Sequence, residues 1–381
     1  MVNVKVDIGH DVRHTALVGA RFQSGSRSGG KGAFTLGFCS IDSLSTTMRG
    51  VGKRRLQGAI ALASVAVVSA LLPAVAKAEP SGAKVVAEHA VSSRLIDLSV
   101  WSPAMRSRVP VKVLAARGGA PAPTLYLLNG AAGGEGGSSW FDQTDIATFF
   151  ANENVNVVVP MGGAASYFTD WLHLDPKLGR QKWATFLTDE LPTVVDKRLN
   201  TNSRNAIAGI SMAGTSVFQL SLRAPRLYRA LGSFSGCAQT SDPAGQAVVR
   251  LVVEGRGGGN VTNMWGPPSN PQWAENDPYL HVDEFRGKSI YVSNGTGGPG
   301  RYDTLTGPGI DGNPSKLFDQ LAVGAVIETA TLECTRNLQR RMAERGVPAT
   351  FHLYQGGTHS WAYWQDELHR AWPQFRSALT S

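Results

Sequence analysis

The chain has 381 residues and a formal net charge of +8. A basic balance raises the question of nucleic-acid binding, but the charge is unevenly distributed along the chain. Residues 1–78 hold ten Lys and Arg against three Asp, so this segment carries +7 of the total +8. The remainder is almost neutral, which excludes nucleic acid as an expected partner.

Residues 48–78 have the pattern of a secretory signal peptide. A basic stretch at 49–55 precedes the uncharged apolar run 58–75, and Ala76-Lys77-Ala78 supplies an A-x-A cleavage motif. The length of the apolar run also fits an uncleaved membrane anchor. Its alanine content and Pro73 favour cleavage, so we expect a secreted or cell-envelope protein.

The first 47 residues are rich in Gly, Ser and Arg and show no sustained periodicity. We expect translation to begin at Met48, which makes residues 1–47 a non-native extension; the alternative is a genuine disordered leader. The remaining residues 79–381 are long enough for one large α/β domain, and we predict a single catalytic domain there.

Export changes how the cysteines are interpreted. Cys39 falls in the discarded part, whereas Cys237 and Cys334 remain, an even number in an oxidising compartment. We predict a disulfide between these two, with two buried free thiols as the alternative. The chain shows no metal-ligand spacing, so neither a metal nor a diffusible cofactor is expected.

Apolar runs alternate with helical stretches through the remaining residues. The first two short strands, 97–100 and 111–114, are predicted to form an antiparallel hairpin at the sheet edge. Further strands are predicted at 124–128, 155–159, 205–208, 230–235, 289–293 and 350–354. Helices are predicted at 182–199, 317–345 and 361–379, the last interrupted by Pro373. This alternation predicts an α/β fold, a mostly parallel sheet with helices on both faces.

The stretch Ala206-Ile-Ala-Gly-Ile-Ser-Met-Ala-Gly214 is the strongest chemical signal in the chain. A strand runs into Gly209, Ser211 follows, and a helical segment comes after it. This order is typical of a nucleophile elbow, although Ala213 replaces the second glycine of G-x-S-x-G. We therefore predict an α/β-hydrolase fold with Ser211 as nucleophile; the alternative is a βα turn with an ordinary hydroxyl.

A serine nucleophile needs a base, and the base needs an orienting acid. His359 follows the last predicted strand, where α/β-hydrolases place their base, and we predict it in that role. Five acidic residues lie in the correct interval for the acid, and spacing does not separate them. They are Asp303, Asp311, Asp319, Glu328 and Glu333.

Several short strings occur in a fixed order along the chain. They are YLLNG at 126–130, MGG at 161–163, DW at 170–171, KWATFLTDELP at 182–192, GISMAG at 209–214, NMWGP at 263–267, ENDP at 275–278, NGT at 294–296 and GTHSWAYW at 357–364. In this order they resemble the antigen 85 and corynebacterial mycolyltransferases, which are esterase D-like α/β-hydrolases. The resemblance spans roughly residues 120–373.

The resemblance places the nucleophile on Ser211 and the base on His359. The family's acid is a glutamate at the start of a helix about thirty residues before the histidine, which implies Glu328. Glu333 is the second choice. For either glutamate the alternative is an exposed helix charge without a catalytic role, and this alternative applies more to Glu333.

The resemblance also implies that the backbone amides of Ala131 and Met212 form the oxyanion hole. The family has an aspartate, a leucine and an arginine where this chain has Asn129, Ala131 and Ala132, so the charged groups that hold the sugar in the family are absent here. Asn129 and Trp361 are the predicted substrate-binding residues; a packed aromatic is the alternative for Trp361.

The resemblance therefore predicts a secreted serine acyltransferase of the cell envelope. It moves a mycolyl, or long fatty acyl, group between sugar hydroxyls through an acyl-serine, with a glycolipid such as trehalose monomycolate as donor. The first alternative is a secreted carboxylesterase with the same triad and water as acceptor. A second alternative is a surface protein without catalysis, and the resemblance also implies adhesion to a host matrix as an additional role.

Overall fold

The computed structural model describes residues 82–381, so the predicted leader at 1–47 and signal peptide at 48–78 lie outside the described residues. Within residues 82–381, nine strands form one sheet. The strands are β1 Lys84–Ala90, β2 Leu95–Ser102, β3 Ser107–Leu114, β4 Ala122–Leu128, β5 Asn156–Pro160, β6 Thr201–Ile210, β7 Tyr228–Phe234, β8 Ser289–Gly295 and β9 Thr350–Tyr354.

The sheet has the order β1-β2-β3-β5-β4-β6-β7-β8-β9. The pairs β1–β2, β2–β3 and β3–β5 are antiparallel. The pairs β5–β4, β4–β6, β6–β7, β7–β8 and β8–β9 are parallel. Parallel strands end at the same edge of a sheet, so the loops that follow β4, β6 and β9 meet at one edge.

Helices connect the strands. In the described part they are α1 Trp140–Gln143, α2 Ile146–Phe149, α3 Trp183–Thr185, α4 Leu191–Leu199, α5 Met212–Arg223, α6 Pro243–Arg250, α7 Val261–Trp265, α8 Gln272–Glu275, α9 Pro314–Asp319, α10 Ala325–Glu344 and α11 Trp361–Thr380. The π-helical segments Phe186–Glu190, Leu251–Arg256 and Gln320–Gly324 continue α3, α6 and α9, and short 3₁₀ turns lie at Phe150–Asn152 and Val282–Phe285. None of the helices within residues 82–381 combines the length and apolarity needed to cross a membrane.

Alternate residues of the central strands face two separate hydrophobic cores. On β4, Tyr126 and Leu128 belong to one core, which includes residues of α5 and α10, whereas Leu125 and Leu127 belong to the other, which includes residues of α11. Since both faces of the parallel strands are covered, their sequences are apolar without interruption, as in doubly covered sheets. The predicted α/β architecture is confirmed.

Three details differ from the predictions. The hairpin of β2 and β3 is not at the edge, because β1 pairs with β2 outside it. The sequence did not predict β1, because most of its residues are exposed. The terminal helix continues through Pro373, because Trp372 and Phe375 on either side of it are buried against the sheet and hold the helix despite one missing N–H donor.

A disulfide joins Cys237, in the loop after β7, to Cys334 in α10, with the two Cα atoms 5.1 Å apart. The bond closes a loop between residues 97 positions apart in sequence. A cross-link over so long a loop restricts the unfolded chain strongly, so we expect a large share of the domain's stability to depend on it.

Replacing both Cys237 and Cys334 by serine is expected to lower the free energy of unfolding by about 2–5 kcal/mol, measured by urea denaturation. Dithiothreitol should destabilise the wild type and leave the double variant unchanged. Equal stability of the two proteins without reductant would contradict the assigned role of the disulfide.

Candidate active site

Ser211 lies at the sharp turn between β6 and α5. Its backbone has a φ of 54° and a ψ of −125°, a strained conformation for a residue with a side chain. The Ser211 amide donates to the carbonyl of Phe234 in β7 at 2.8 Å, which ties the turn to the neighbouring strand. This is the geometry of a nucleophile elbow, and it presents the hydroxyl at the carboxyl edge of the sheet.

The residues on either side of Ser211 are small because the strand and helix cross closely. A Cβ atom added to Gly209 would lie 2.8 Å from the Cβ atom of Ala213, and one added to Gly214 would lie 2.8 Å from Ser233 Oγ. The Cβ atom at position 209 would also lie 2.7 Å from the carbonyl oxygen of Ala213, so this position must be glycine. The methyl group of Ala213, where G-x-S-x-G has its second glycine, fits because Gly209 has no side chain.

His359 lies in the loop between β9 and α11. Its Nε2 atom is 2.7 Å from Ser211 Oγ, and its Nδ1 atom is 2.8 Å from Glu328 Oε2. An ionised carboxylate only accepts hydrogen bonds, so the neutral ring carries its proton on Nδ1 and Nε2 accepts from the serine hydroxyl. The structure brings these three side chains into one hydrogen-bonded chain.

Glu328 is fully buried in the first turn of α10. Its Oε1 atom accepts hydrogen bonds from Ser235 Oγ at 2.8 Å, Asn294 Nδ2 at 3.0 Å and the Gly295 amide at 2.7 Å. A buried carboxylate needs such donors to remain ionised. These bonds fix Oε1, so Oε2 is held towards the ring of His359.

Glu333, the second choice for the acid, lies elsewhere. Its side chain is 63% exposed, and its nearest charged partner is Arg340 at 3.7 Å. It faces solvent from α10 and does not contact His359. The hydrogen-bond geometry therefore distinguishes Glu328 from Glu333 as the partner of His359, which spacing alone did not.

The loop after β4 lies beside the serine. A Cβ atom added to Gly130 would be 3.5 Å from Ser211 Cβ, and Ala131 lines the same cavities as Ser211. In residues 82–381, neither the Ala131 amide nor the Met212 amide donates to another residue. Two free N–H groups next to a serine hydroxyl are what an oxyanion hole requires.

The position of Asn129 corrects the prediction that it binds substrate. Its side chain is fully buried; Nδ2 donates to the Pro160 carbonyl and Oδ1 accepts from the Trp140 amide, both at 3.1 Å. Since both ends of the amide are bonded within the protein, Asn129 holds the loop that carries Ala131 and does not face the cleft.

A cleft of about 590 Å³ opens over Ser211 and His359. Trp361, the first residue of α11, lines this cleft. It packs edge-to-face against Trp140 and Trp364, with ring centroids 5.6 and 5.4 Å apart. The cleft therefore has an aromatic wall next to the histidine, held by these edge-to-face contacts.

A smaller cavity of about 100 Å³ also reaches Ser211 and is lined by residues of α5, α6 with its π-helical continuation, and α10. Its walls are mainly apolar. They include Ala131, Tyr167, Met212, Val248, Leu251, Val252, Val326, Ile327 and Ala330. Ser211 thus lines both the cleft and this apolar groove.

Asp303 supports the site in a way that the sequence does not reveal. Its carboxylate is 8% exposed and accepts hydrogen bonds from the Gly300 amide, Tyr363 Oη, Gln320 Nε2 and Thr358 Oγ1, at 2.5–2.7 Å. Thr358 immediately precedes the histidine, and Gln320 lines the cleft. Asp303 therefore connects the histidine loop to the cleft wall, although it lies in a loop whose composition singles out no residue.

Fold and site together define an α/β-hydrolase with a serine, a histidine and a buried glutamate at the carboxyl edge of its sheet. The chain belongs to the esterase family, whose family model, described as "Esterase", matches residues 102–375, and within it to the antigen 85 group of acyltransferases. It is accordingly an enzyme.

Two relatives carry the name diacylglycerol acyltransferase/mycolyltransferase. Ag85A of Mycobacterium leprae is 31% identical over 290 residues, which is 74% of this chain and 82% of the relative. Ag85B of Mycobacterium avium is 30% identical over 282 residues, 71% of this chain and 79% of the relative. The predicted resemblance is confirmed.

Solved structures show the same fold. MPT51 of Mycobacterium tuberculosis matches 76% of this chain and 100% of its own, with 23% identity and a TM-score of 0.61. FphF, a fluorophosphonate-binding serine hydrolase of Staphylococcus aureus, matches 75% of this chain and 98% of its own, with 16% identity and a TM-score of 0.54. At these identities the likeness establishes the fold alone.

Replacing Glu328 by glutamine is expected to lower kcat/KM for a short p-nitrophenyl ester by about 10³–10⁴-fold, because a neutral amide neither orients nor stabilises the charged imidazole. Glu333→Gln is the matched control on the same helix and should stay within about twofold of wild type, since surface charges contribute little. Loss of activity in Glu333→Gln with activity retained in Glu328→Gln would reverse the assignment.

Asp303→Asn is expected to lower the free energy of unfolding by about 1–3 kcal/mol and to reduce ester hydrolysis as well. An asparagine presents an NH₂ group where the carboxylate accepts from N–H and O–H donors. Asp311→Asn is the control, since Asp311 lies in the same loop and forms only an exposed ion pair with Lys316. A Tm and an activity equal to wild type in Asp303→Asn would show that the network is dispensable.

Proposed function

We propose that this protein is a serine acyltransferase that moves a long fatty acyl group between hydroxyl groups through an acyl-Ser211 intermediate. The observation that carries the proposal is the chain of hydrogen bonds from Ser211 Oγ to His359 and on to Glu328, at 2.7 and 2.8 Å. The names of the relatives support acyl transfer as the reaction class.

The first half-reaction acylates the serine. His359 Nε2 removes the proton from Ser211 Oγ as the oxygen attacks the ester carbonyl, and Glu328 stabilises the resulting imidazolium. The amides of Ala131 and Met212 donate to the oxyanion; removing one such donor typically costs about 10²–10³-fold in rate. The donor alcohol leaves with the proton from His359.

The apolar groove would receive the acyl chain. A cavity of about 100 Å³ is too small for a long chain, so the remainder must follow the groove outwards. Leu251 and Val326 line the groove and are 57% and 71% exposed. Such exposed apolar side chains at its open end fit a fatty chain that extends past the protein surface.

The second half-reaction decides between a transferase and a hydrolase. A sugar hydroxyl would give transfer and water would give hydrolysis, from the same acyl-serine. The aromatic wall at Trp361 favours a sugar acceptor, whereas Ala131 and Ala132 supply none of the charged groups that the resemblance places on this loop. A carboxylesterase is therefore the second candidate function.

We further propose trehalose monomycolate as the donor and the cell envelope as the site of action. Both follow from the predicted signal peptide and from the mycolyltransferase relatives. Adhesion to a host matrix remains a prediction from the resemblance alone.

Incubation of the purified protein with trehalose monomycolate is expected to yield the dimycolate and free trehalose, separated by thin-layer chromatography and mass spectrometry. Ser211→Ala should yield neither, because no acyl-enzyme can form. Free mycolic acid as the main lipid product would favour the esterase. Equal product from wild type and Ser211→Ala would exclude this serine as the nucleophile.

A further inference from the structure

Two charged side chains, apart from the histidine, line the cleft over Ser211. They are Arg256, the last residue of the π-helical segment after α6, and Asp319, the last residue of α9. Neither lies in the loop after β4, which carries the Ala131 amide. That loop contributes only uncharged residues to the cleft, namely Gly130, Ala131, Ala132 and Ser138.

Both charged groups are free to bind a ligand. Arg250, on the preceding helix, pairs with Glu254 at 3.3 Å, and Asp311 pairs with Lys316 at 2.7 Å. By contrast, neither Arg256 nor Asp319 forms an ion pair or a side-chain hydrogen bond with another residue in the described range 82–381, and both are exposed. The N–H groups of Arg256 and the carboxylate of Asp319 are therefore available to solvent or to a bound molecule.

Arg256 lines both the cleft and the apolar groove, and no other charged side chain lines the groove within the described residues. A molecule that occupied both the groove and the cleft would therefore pass beside this guanidinium.

We propose that Arg256 and Asp319 bind the hydroxyl groups of the acceptor, and that the acceptor is a neutral sugar rather than a monohydroxy lipid. This inference rests on the proposed function. An arginine donates hydrogen bonds and a carboxylate accepts them, so together they match a polyol, whose hydroxyls both donate and accept. Trp361 lines the same cleft as these two residues.

A lipid alcohol such as a diacylglycerol has one hydroxyl and two apolar chains. Its single hydroxyl cannot serve a donor and an acceptor at two separate positions, whereas a sugar carries several hydroxyls. The sugar-binding function that the resemblance assigns to a charged oxyanion loop is thus supplied here by two charged residues outside that loop.

In the transfer step, His359 takes the proton from the attacking sugar hydroxyl. A new bond forms between that oxygen and the acyl carbon, and the bond from the acyl carbon to Ser211 Oγ breaks. The proton passes from His359 to Ser211 Oγ, which restores the free enzyme. Arg256 and Asp319 hold the acceptor and exchange no proton with it.

The test measures how one acyl-enzyme divides between acceptors. Enzyme acylated by p-nitrophenyl hexanoate is offered trehalose, 1,2-dioctanoylglycerol and water, and the ratio of each ester to free hexanoate is measured by mass spectrometry. Both products arise from the same acyl-serine, so the ratio reports acceptor binding whatever the acylation rate.

Wild type is expected to form the trehalose ester in preference to the glycerolipid ester. Arg256→Gln and Asp319→Asn should each lower the ratio of trehalose ester to hexanoate by about tenfold or more, as expected for lost hydrogen bonds to charged groups. Arg250→Gln and Asp311→Asn are the matched controls and should retain the wild-type ratio.

Three results would overturn the inference while leaving the acyl-serine intact. These are wild-type ratios in both cleft variants, preference of the wild type for the glycerolipid, or hydrolysis with no sugar ester at all. Absence of acyl-Ser211 in the wild type, read by peptide mapping of the same samples, would instead contradict the proposed function and the inference together.

Discussion

The site depends on a single buried carboxylate. Glu328 is fully enclosed, and three donors from the ends of β7 and β8 hold one of its oxygens. The other oxygen is thereby fixed against His359, and the ring in turn lies within hydrogen-bonding distance of the serine. Removing water from this carboxylate is costly, and only the complete set of donors offsets that cost. The proposed chemistry at Ser211 therefore depends on the correct packing of α10 against the sheet.

Two further constraints act on the same helix. The disulfide fastens α10 to the loop after β7, close to Ser235, which donates to Glu328. The His359 amide donates to the Gly324 carbonyl at 3.3 Å, and Asp303 fastens the neighbouring Thr358. Glu328 and His359 are thus each held in place by contacts from other parts of the chain. Residues that pack against and hydrogen-bond to catalytic side chains are what keep them in a reactive geometry.

The sequence predicted the features that depend on the local succession of strands, turns and helices. The elbow at Ser211 and the loop at His359 follow from strands and turns read along the chain, and the structure places both at the same sheet edge. Helical periodicity could not decide between Glu328 and Glu333, because that choice depends on donors from distant strands; the family resemblance indicated it instead. The hydrogen bonds of Asp303 and the buried orientation of Asn129 also depend on residues distant in sequence, so local patterns did not reveal them.

The family gives the reaction class, and the cleft and groove that meet at Ser211 explain how one hydroxyl could serve a fatty chain and a polar acceptor. The proposed mechanism requires the acyl group to pass through Ser211 Oγ. The most direct test is rapid acid quenching of the enzyme during turnover, followed by peptide-mapping mass spectrometry. We expect one acyl adduct, on Ser211, that forms and decays at catalytically competent rates. Turnover without an adduct, or with the adduct on another residue, would contradict it.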